Sequence, residues 1–495
     1  MKRSKHSLSN YKLLSCDQGQ LVPIGLQEIL PGDTFDHSTS ALIRVAPLAT
    51  PVMHPVRARI HHFFVPHRLV WNDWEDFITG GPDGLNASVF PTINTGAGFA
   101  VGSLADYLGV TPSVANRDVS ALPFRAYALI YNEFYRDQDL NAALTIDLTD
   151  GPDTTTNVAL QNACWERDRF TLARATAQKG AAVTLPLGTT SPVKFQSGTV
   201  GVKIVNPATG ATLNSQTGFQ STGAGVFTSS PAAVGAGIDP NGSLYADLST
   251  ASAATITQLR TAFALQQYAE NRSLYGSRYS DYLALMGVKS SDARLQRPEY
   301  LGGGVETIQF SEVIQTAPGT YDTDEYPLGN LGGHGIGALK SNRYRRFFEE
   351  HGYVISLLSV LPKTVYAQGL EKTWNRRTKE DFFQYELQFV GQDEVQNKEV
   401  YLAHTTPDGT FGYIDRYDDY RRSPSTVAGE FRTTLDSWHM ARIFSGEPAL
   451  NSTFVTANPT DRIYASTTTN ELQIMVKHKI RARRPVAKNG TPRSF

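Results

Sequence analysis

Val56–Val65 (VRARIHHFFV) alternates without a break. Val56, Ala58, Ile60, His62 and Phe64 share one side of an extended chain, and Arg57, Arg59, His61 and Phe63 share the other. That period of two predicts a half-buried strand. Phe383, Tyr385, Leu387 and Phe389 repeat the pattern with Gln384, Glu386 and Gln388 opposite, and Leu472, Ile474 and Val476 alternate with Gln473, Met475 and Lys477. Three such runs spread over the whole length point to one sheet system visited repeatedly. A period of 3.6 appears between them. Phe124, Tyr127, Ala128, Tyr131, Phe134 and Tyr135 fall on one helical face after Leu122-Pro123, a helix start that tolerates proline. A second helix is expected from about Thr257 to Asn271. A short one is expected from Asn72 to Thr79, with Asn72 as N-cap and a stop at Gly80-Gly81. Helices inside long connections of a β-rich chain suggest a sandwich or barrel with elaborate loops.

Residues 180–257 break this texture. Gly, Ala, Ser and Thr dominate, and Lys194, Lys203, Asp239 and Asp247 are the only charges. A flexible linker is one reading. Short β-like alternation through Val193, Phe195, Val200, Val202, Ile204 and Val205, with turns at Asn206-Pro207 and Thr209-Gly210, favours a projecting surface subdomain.

Composition narrows the class. The chain has 495 residues, 40% of them hydrophobic, enough for a large core. With 22 Tyr and 24 Phe against 5 Met, and with 41 Gly and 26 Pro, it leans toward sheet and turns. Cys16 and Cys164 cannot build a disulfide framework, and no C-x-x-C pair offers a zinc site. The first residues lack the apolar run of a signal peptide, and no stretch is apolar enough to span a bilayer, so a soluble intracellular product is expected.

Signals for catalysis are weak. His61, His62 and His67 lack acidic residues at ligand spacing, so no metal role is expected. GNLGGHGIGALKS (329–341) lacks the Gly-Lys-Ser/Thr of a phosphate loop and reads as a flexible surface loop. Asp322, Asp324 and Glu325 lack EF-hand spacing and read as solvated carboxylates. No G-x-S-x-G nominates a nucleophile.

Charge distribution carries more. The totals nearly cancel, 46 Lys plus Arg against 47 Asp plus Glu, but both ends are basic. Lys2, Arg3, Lys5 and Lys12 precede the first acid, and Lys477, Lys479, Arg481, Arg483, Arg484, Lys488 and Arg493 close a tail without acids. Basic arms over 1–16 and 477–495 suit phosphate neutralisation; a solvated tail is the plain alternative. Arginines alternate with aromatics at Arg343, Tyr344, Arg345, Arg346, Phe347 and Phe348. They do so again at Tyr413, Arg416, Tyr417, Tyr420, Arg421 and Arg422, the residue types of interface cores and base-stacking grooves.

Several blocks resemble the major capsid proteins of microviruses, small icosahedral phages with circular single-stranded DNA, and the gokushovirus branch most. They are FFVPHRLVWNDWEDFITGG (63–81), ALPFRAYALIYNEFYRDQDL (121–140), SSDARLQRPEYLGGG (290–304), QGLEKTWNRRTKEDFF (368–383), FGYIDRYDDYRRSPSTVAGEFR (411–432) and LDSWHMARIF (435–444). They keep their order from about residue 20 to 480, although CWERDRFTLARATAQKG (164–180) departs from the family's wording. The resemblance implies a mainly β protein, a single eight-stranded antiparallel jelly roll whose long insertions hold a few helices. Such subunits close into the smallest (T=1) icosahedral shell, assembled in the bacterial host cytoplasm and forming the virion capsid, with no cofactor, no metal and no membrane insertion. The implied partners are copies of the chain, packaged single-stranded DNA, internal scaffolding, pilot and small basic DNA-binding proteins, and a host-cell receptor contacted by 180–257. On this reading Lys2, Arg3, Lys5, Arg57, Arg59, Lys477, Lys479, Arg481, Arg483 and Arg484 contact DNA. Trp71, Trp74, Phe77, Tyr344, Arg346, Phe347, Tyr417, Tyr420 and Arg421 contact neighbouring subunits. Two other readings remain open. One is a carbohydrate-binding jelly roll using Phe219, Phe227 or Tyr245. The other is a sandwich hydrolase with facing carboxylates drawn from Glu349, Glu350, Asp415, Asp418 and Asp419.

Overall fold

The computed structural model describes residues 3–184, 255–314 except 277, 316, 329 and 331–488, and the backbone of six short strands between 193 and 246. Lys2, Arg493, the cluster Asp322, Asp324 and Glu325, and the side chains of Phe219, Phe227 and Tyr245 lie outside the described residues. The chain divides into two compact units, Gly180–Ala269 and the remainder.

In the larger unit ten strands form one antiparallel system: β1 (Ser4–Ser7), β2 (Asn10–Cys16), β3 (Val22–Ile29), β4 (Thr34–Val45), β5 (Val56–Pro66), β6 (Glu299–Ile314), β7 (Leu331–Lys340), β8 (Tyr344–Phe347), β9 (Gly352–Pro362) and β10 (Leu472–Arg484). β1 and β2 share one edge of β10, while β7 and β8 share one edge of β4. The ten segments therefore occupy eight positions, ordered β1/β2, β10, β4, β7/β8, β6, β5, β9, β3. The long strand β6 pairs with β7 through Gln309–Ile314 and with β5 through Glu299–Ile308, so it carries the chain from one four-stranded sheet to the other. The sheet curls on itself, and the two halves face each other across a core drawing Ile43, Leu339 and Ile474 from one and Ile24, Ile60 and Leu358 from the other. This is the antiparallel jelly roll that the resemblance implies.

Two of the three alternating runs become strands. β5 begins at Val56 as expected, and β10 extends its alternation through Arg484, so 477–484 and most of 4–16 belong to the sheet and are not free arms. The third run is a correction: 383–389 is not a strand but lies among short 3-10 turns at Lys379–Asp381 and Tyr385–Leu387. Among the described residues no strand pairs with it. Local partners take its backbone instead: the Asp381 carboxylate accepts from the Arg377 and Thr378 amides, and the Tyr417 and Tyr420 hydroxyls accept from those of Gln384 and Phe383.

A second correction concerns 329–341. It is not a surface loop: β7 occupies the middle of the sheet between β4 and β6. Its alternating glycines answer a packing demand. A Cβ at Gly333 would lie 2.9 Å from the Thr50 carbonyl oxygen, and one at Gly335 2.7 Å from a Val45 methyl. Only glycine lets the core approach this strand so closely.

The outer face of the second sheet is covered. Helices α2 (Leu104–Leu108) and α3 (Leu122–Ile130) bury Leu104, Leu108, Leu122, Phe124, Tyr127 and Ile130 against Phe63, Val65, Ile355 and Leu357. Each fully buried large side chain contributes about 1.5–3 kcal/mol. α3 starts at Leu122-Pro123 as expected and runs into a wider turn, Tyr131–Tyr135. Arg125, on this helix, is fully buried and donates to Asp153 at 2.8 Å and to the Val70 and Thr149 carbonyls. The short helix α1 covers Trp74–Thr79; Asp73 precedes it, Asn72 caps nothing, and Gly80 ends it in the left-handed conformation at φ 85°.

Gly180–Ala269 contains three antiparallel pairs, Val193–Phe195 with Leu244–Ala246, Ile204–Val205 with Gly237–Ile238, and Phe219–Thr222 with Val226–Ser229. Each pair encloses the next in sequence, a set of nested hairpins. The helix Ile256–Tyr275 follows.

Candidate nucleic-acid interface

Period-two alternation places every second residue of β10 in the core and the others on the open outer face of the first sheet. Leu472, Ile474, Val476, His478, Ile480 and Ala482 are buried, whereas Gln473, Met475, Lys477, Lys479, Arg481 and Arg483 are exposed. Cross-strand register then assembles rows on that face. Lys5 of β1, Arg483 and Thr34 of β4 stand side by side, and so do Ser7, Arg481, Asp36 and Arg345 of β8. Farther along come Lys479 with Ser38, then Tyr11 of β2 with Lys477, Ser40 and Lys340 of β7, and then Leu13 with Met475, Leu42 and Ala338. Arg44, beside Gln473, closes the surface.

One carboxylate, Asp36, stands among these rows. The Arg343 guanidinium bonded to it holds its carboxyl below the usual range, and Arg481 and Arg345 add to the effect. The side chains of Lys5, Arg44, Lys340, Arg345, Lys479, Arg481 and Arg483 make no ion pair among the described residues. Cations repeat along β10 every second residue, about 6.6 Å apart. Two exposed rings flank them: Tyr11 is 64% exposed with the Lys477 ammonium 5.2 Å from its centre, and Phe347 is 49% exposed beneath the Arg3 guanidinium. Unpaired cations in register beside exposed aromatics can bind a phosphate backbone and offer stacking surfaces without reading a sequence.

Other candidates are placed elsewhere. Arg484 has the inward parity of β10 and donates to the fully buried Asp33 at 2.9 Å, so it holds the fold together. Lys12 also points inward; it donates to the Pro23 carbonyl at 3.0 Å, and burial pulls its ammonium down to about 8. Arg57 and Arg59 stand on the second sheet, and both face Glu166, at 3.3 and 2.9 Å. The first sheet's cations thus converge, and these two do not join them.

The expected subunit contacts also divide. Trp71 (0% exposed) and Tyr417 (5%) are core residues with no surface to offer a neighbour, which corrects their assignment. Trp74 packs its ring 4.5 Å from His67, and the Tyr344 hydroxyl lies 2.9 Å from His37 inside the sandwich. Phe77 and Tyr420 are exposed, as are Arg346, paired with Glu299, and Arg421, paired with Asp415. Further exposed aromatics are Trp374 and Phe382 and, from the run that sequence reading took for a strand, Phe383, Tyr385 and Phe389, all between 50% and 85% exposed.

Four of the carboxylates that a hydrolase would need are each held by arginine. Glu350 pairs with Arg68, Asp415 with Arg421, Asp418 with Arg169 and Arg422, and Asp419 with Arg376. Among the described residues no group of three or more His, Cys, Asp or Glu is disposed to hold a metal ion, and no helix is long and apolar enough to cross a membrane.

Arg44, Lys340 and Tyr11 were not singled out by sequence reasoning. Extending the Leu472–Val476 parity to residue 484 would have separated Arg484 from its neighbours; the cross-strand partners required the register.

Comparison with known proteins gives a consistent result. Residues 1–493 match the family described as capsid protein (F protein). The chain is 40% identical to capsid protein VP1 of Bdellovibrio phage phiMH2K over 88% of this chain and 85% of that one. It is 33% identical to VP1 of Chlamydia phage 1 over 94% and 91%, and 32% identical to VP1 of Spiroplasma virus 4 over 99% and 95%.

Proposed function

The chain belongs to the phage capsid protein (F protein) family, and from that premise we propose that its copies close into a T=1 icosahedral shell around single-stranded DNA, with the open basic sheet face turned toward the genome. The observation that carries this reading is the set of unpaired cations in register across β1, β10, β4, β7 and β8 on one uncovered surface. Phosphate contacts of this kind hold DNA of any sequence, which is what a container needs. The exposed aromatics Trp374, Phe382, Phe383, Tyr385, Phe389 and Tyr420 support contacts between copies, because aromatic side chains are enriched in the cores of protein interfaces. A closed shell built from one chain requires several different contacts of this type, each modest and summed over many copies. The chain carries no catalytic role on this account.

The charge-poor segment 180–257 is assigned to host attachment on the outside of the shell, and scaffolding, pilot and small basic DNA-binding proteins complete the particle. Assembly is tested by electron microscopy of the protein expressed with its phage partners. Uniform small shells are expected, and a discrete monomer under every condition would overturn the reading. Replacing Lys479, Arg481 and Arg483 with glutamine should leave shells that are poor in DNA; normally filled infectious particles would refute the genome-facing assignment. Trimming 180–257 to a short turn should spare shells and abolish attachment, whereas failure of shells to form would make the segment an assembly element.

A further inference from the structure

His37 of β4, His62 of β5 and His478 of β10 meet between the two sheets, each at most 2% exposed. The His37 ring lies 4.8 Å from that of His62 and 5.4 Å from that of His478. Their partners assign the protons. His478 Nε2 faces the Ile24 carbonyl oxygen at 3.0 Å and must donate to it, which leaves Nδ1 to accept. The Thr39 hydroxyl, 2.9 Å away, supplies that proton. His37 Nε2, 3.1 Å from the Thr39 oxygen and 3.2 Å from His478 Nδ1, is then a donor, and its Nδ1 accepts from the Tyr344 hydroxyl at 2.9 Å. The Ser341 hydroxyl accepts from the Thr39 amide at 2.8 Å and donates to His62 Nε2 at 3.1 Å, so His62 Nδ1 donates to Ser356 at 2.8 Å. All six ring nitrogens are satisfied when the three rings are neutral.

We propose that this trio is an acid-sensitive rivet: neutral, it clamps the two sheets together, and protonated, it loosens the sandwich along β10. A proton added to His478 Nδ1 would point at donors already aimed at it, from His37 and from Thr39. Among the described residues no carboxylate appears in the hydrogen-bond and ring partners of the three rings. The charged and titratable groups that act on the trio are Lys12 from β2, Tyr344 from β8 and, from the opposite side of β5, His61. β3 adds the Ile24 carbonyl and Gly25, and β9 adds Ser356. Gly25 fits so tightly that a Cβ there would lie 2.7 Å from the His478 ring, so this ring cannot move without moving β3 or β10. Burial holds the three imidazoles below their ordinary range, with His37 at about 3; neighbouring rings add to the effect at His37 and His62, while at His478 the Ile24 carbonyl opposes it and Lys12 adds to it. The unfolded chain therefore binds protons first. The clamp is complete above about pH 6.5 and weakens as pH falls toward the folded-state values.

His478 stands between Lys477 and Lys479, so loosening β10 also disturbs the basic face; this consequence rests on the genome-facing reading, and the loosening itself does not. The test is hydrogen exchange by mass spectrometry on the full-length protein at about pH 7.5 and 5.5, corrected for intrinsic exchange. Protection of β4 and β10 should fall at least about tenfold, with α3 unaffected, because each histidine changes the balance by up to tenfold per pH unit. Uniform loosening, or none, would overturn the rivet. His37→Gln combined with His62→Gln should shrink the pH difference to the share that His478 alone supplies, at most about tenfold per pH unit, and a folded variant whose difference is undiminished would also overturn the proposal. Nuclease access to DNA in filled particles separates the second claim. Strands that loosen while DNA stays shielded would refute the coupling to the basic face and leave the rivet standing.

Discussion

Arg57 and Arg59 on β5 and Lys479, Arg481 and Arg483 on β10 begin from the same local pattern, cations alternating with core residues on a strand. The structure treats them in opposite ways. β5 lies in the sheet whose outer face is roofed by α2, α3 and their connections, and Glu166 answers both of its arginines. β10 lies in the sheet whose outer face stays open, and its cations face solvent without partners among the described residues. A strand cation becomes a binding group or a structural one according to what packs over it, and the strand's own sequence does not encode that.

The covered face should break most severely. Asp153→Ala leaves the Arg125 guanidinium buried and unpaired, and removing one partner of such a pair costs about 3–5 kcal/mol. The yield of folded protein and its unfolding midpoint should both drop. The open face should behave in the opposite way. Glutamine at Lys477, Lys479, Arg481 and Arg483 together should leave the unfolding midpoint nearly unchanged. It should flatten the salt dependence of single-stranded DNA binding by about 0.7 per lost contact, roughly 3 in all. Arg57→Gln with Arg59→Gln should leave that slope as it is.

Arg484→Gln sharpens the comparison within one strand. It removes the partner of buried Asp33, so it should cost about 1–3 kcal/mol of stability while the salt slope stays constant. The smallest effect is expected at Glu471, whose carboxyl burial pushes up to about 7 from an ordinary 4.5. The folded chain holds this proton more tightly than the unfolded one, so the contribution is full below about pH 4.5 and is lost as pH rises through 7. Glu471→Gln should gain stability over the natural protein at pH 8 and little at pH 5, as read from melting curves at the two values.

Much of the architecture was legible. β5, β10 and α3 follow from periodicity because each buries one face against a large core, and the short helix ending at Gly80 follows from its punctuation. The failures have physical causes. The alternation of 383–389 lacked a pairing neighbour, and tyrosine hydroxyls satisfied its backbone instead. The glycines of 329–341 looked like flexibility but serve close packing. At the candidate site, the exposed cations of β10 were legible by type, yet Arg484 and Arg57 were not separable from them. Parity alone moves Arg484, but only the position of Glu166, over a hundred residues from Arg57, accounts for β5.

The account is tested most directly by photo-cross-linking packaged DNA inside intact particles and mapping the attached peptides by mass spectrometry. Cross-links concentrated on β2 and β10, at Tyr11 and the flanks of Lys477 to Arg483, are the predicted result. Cross-links concentrated on β5 and α3, or none on β10, would contradict it.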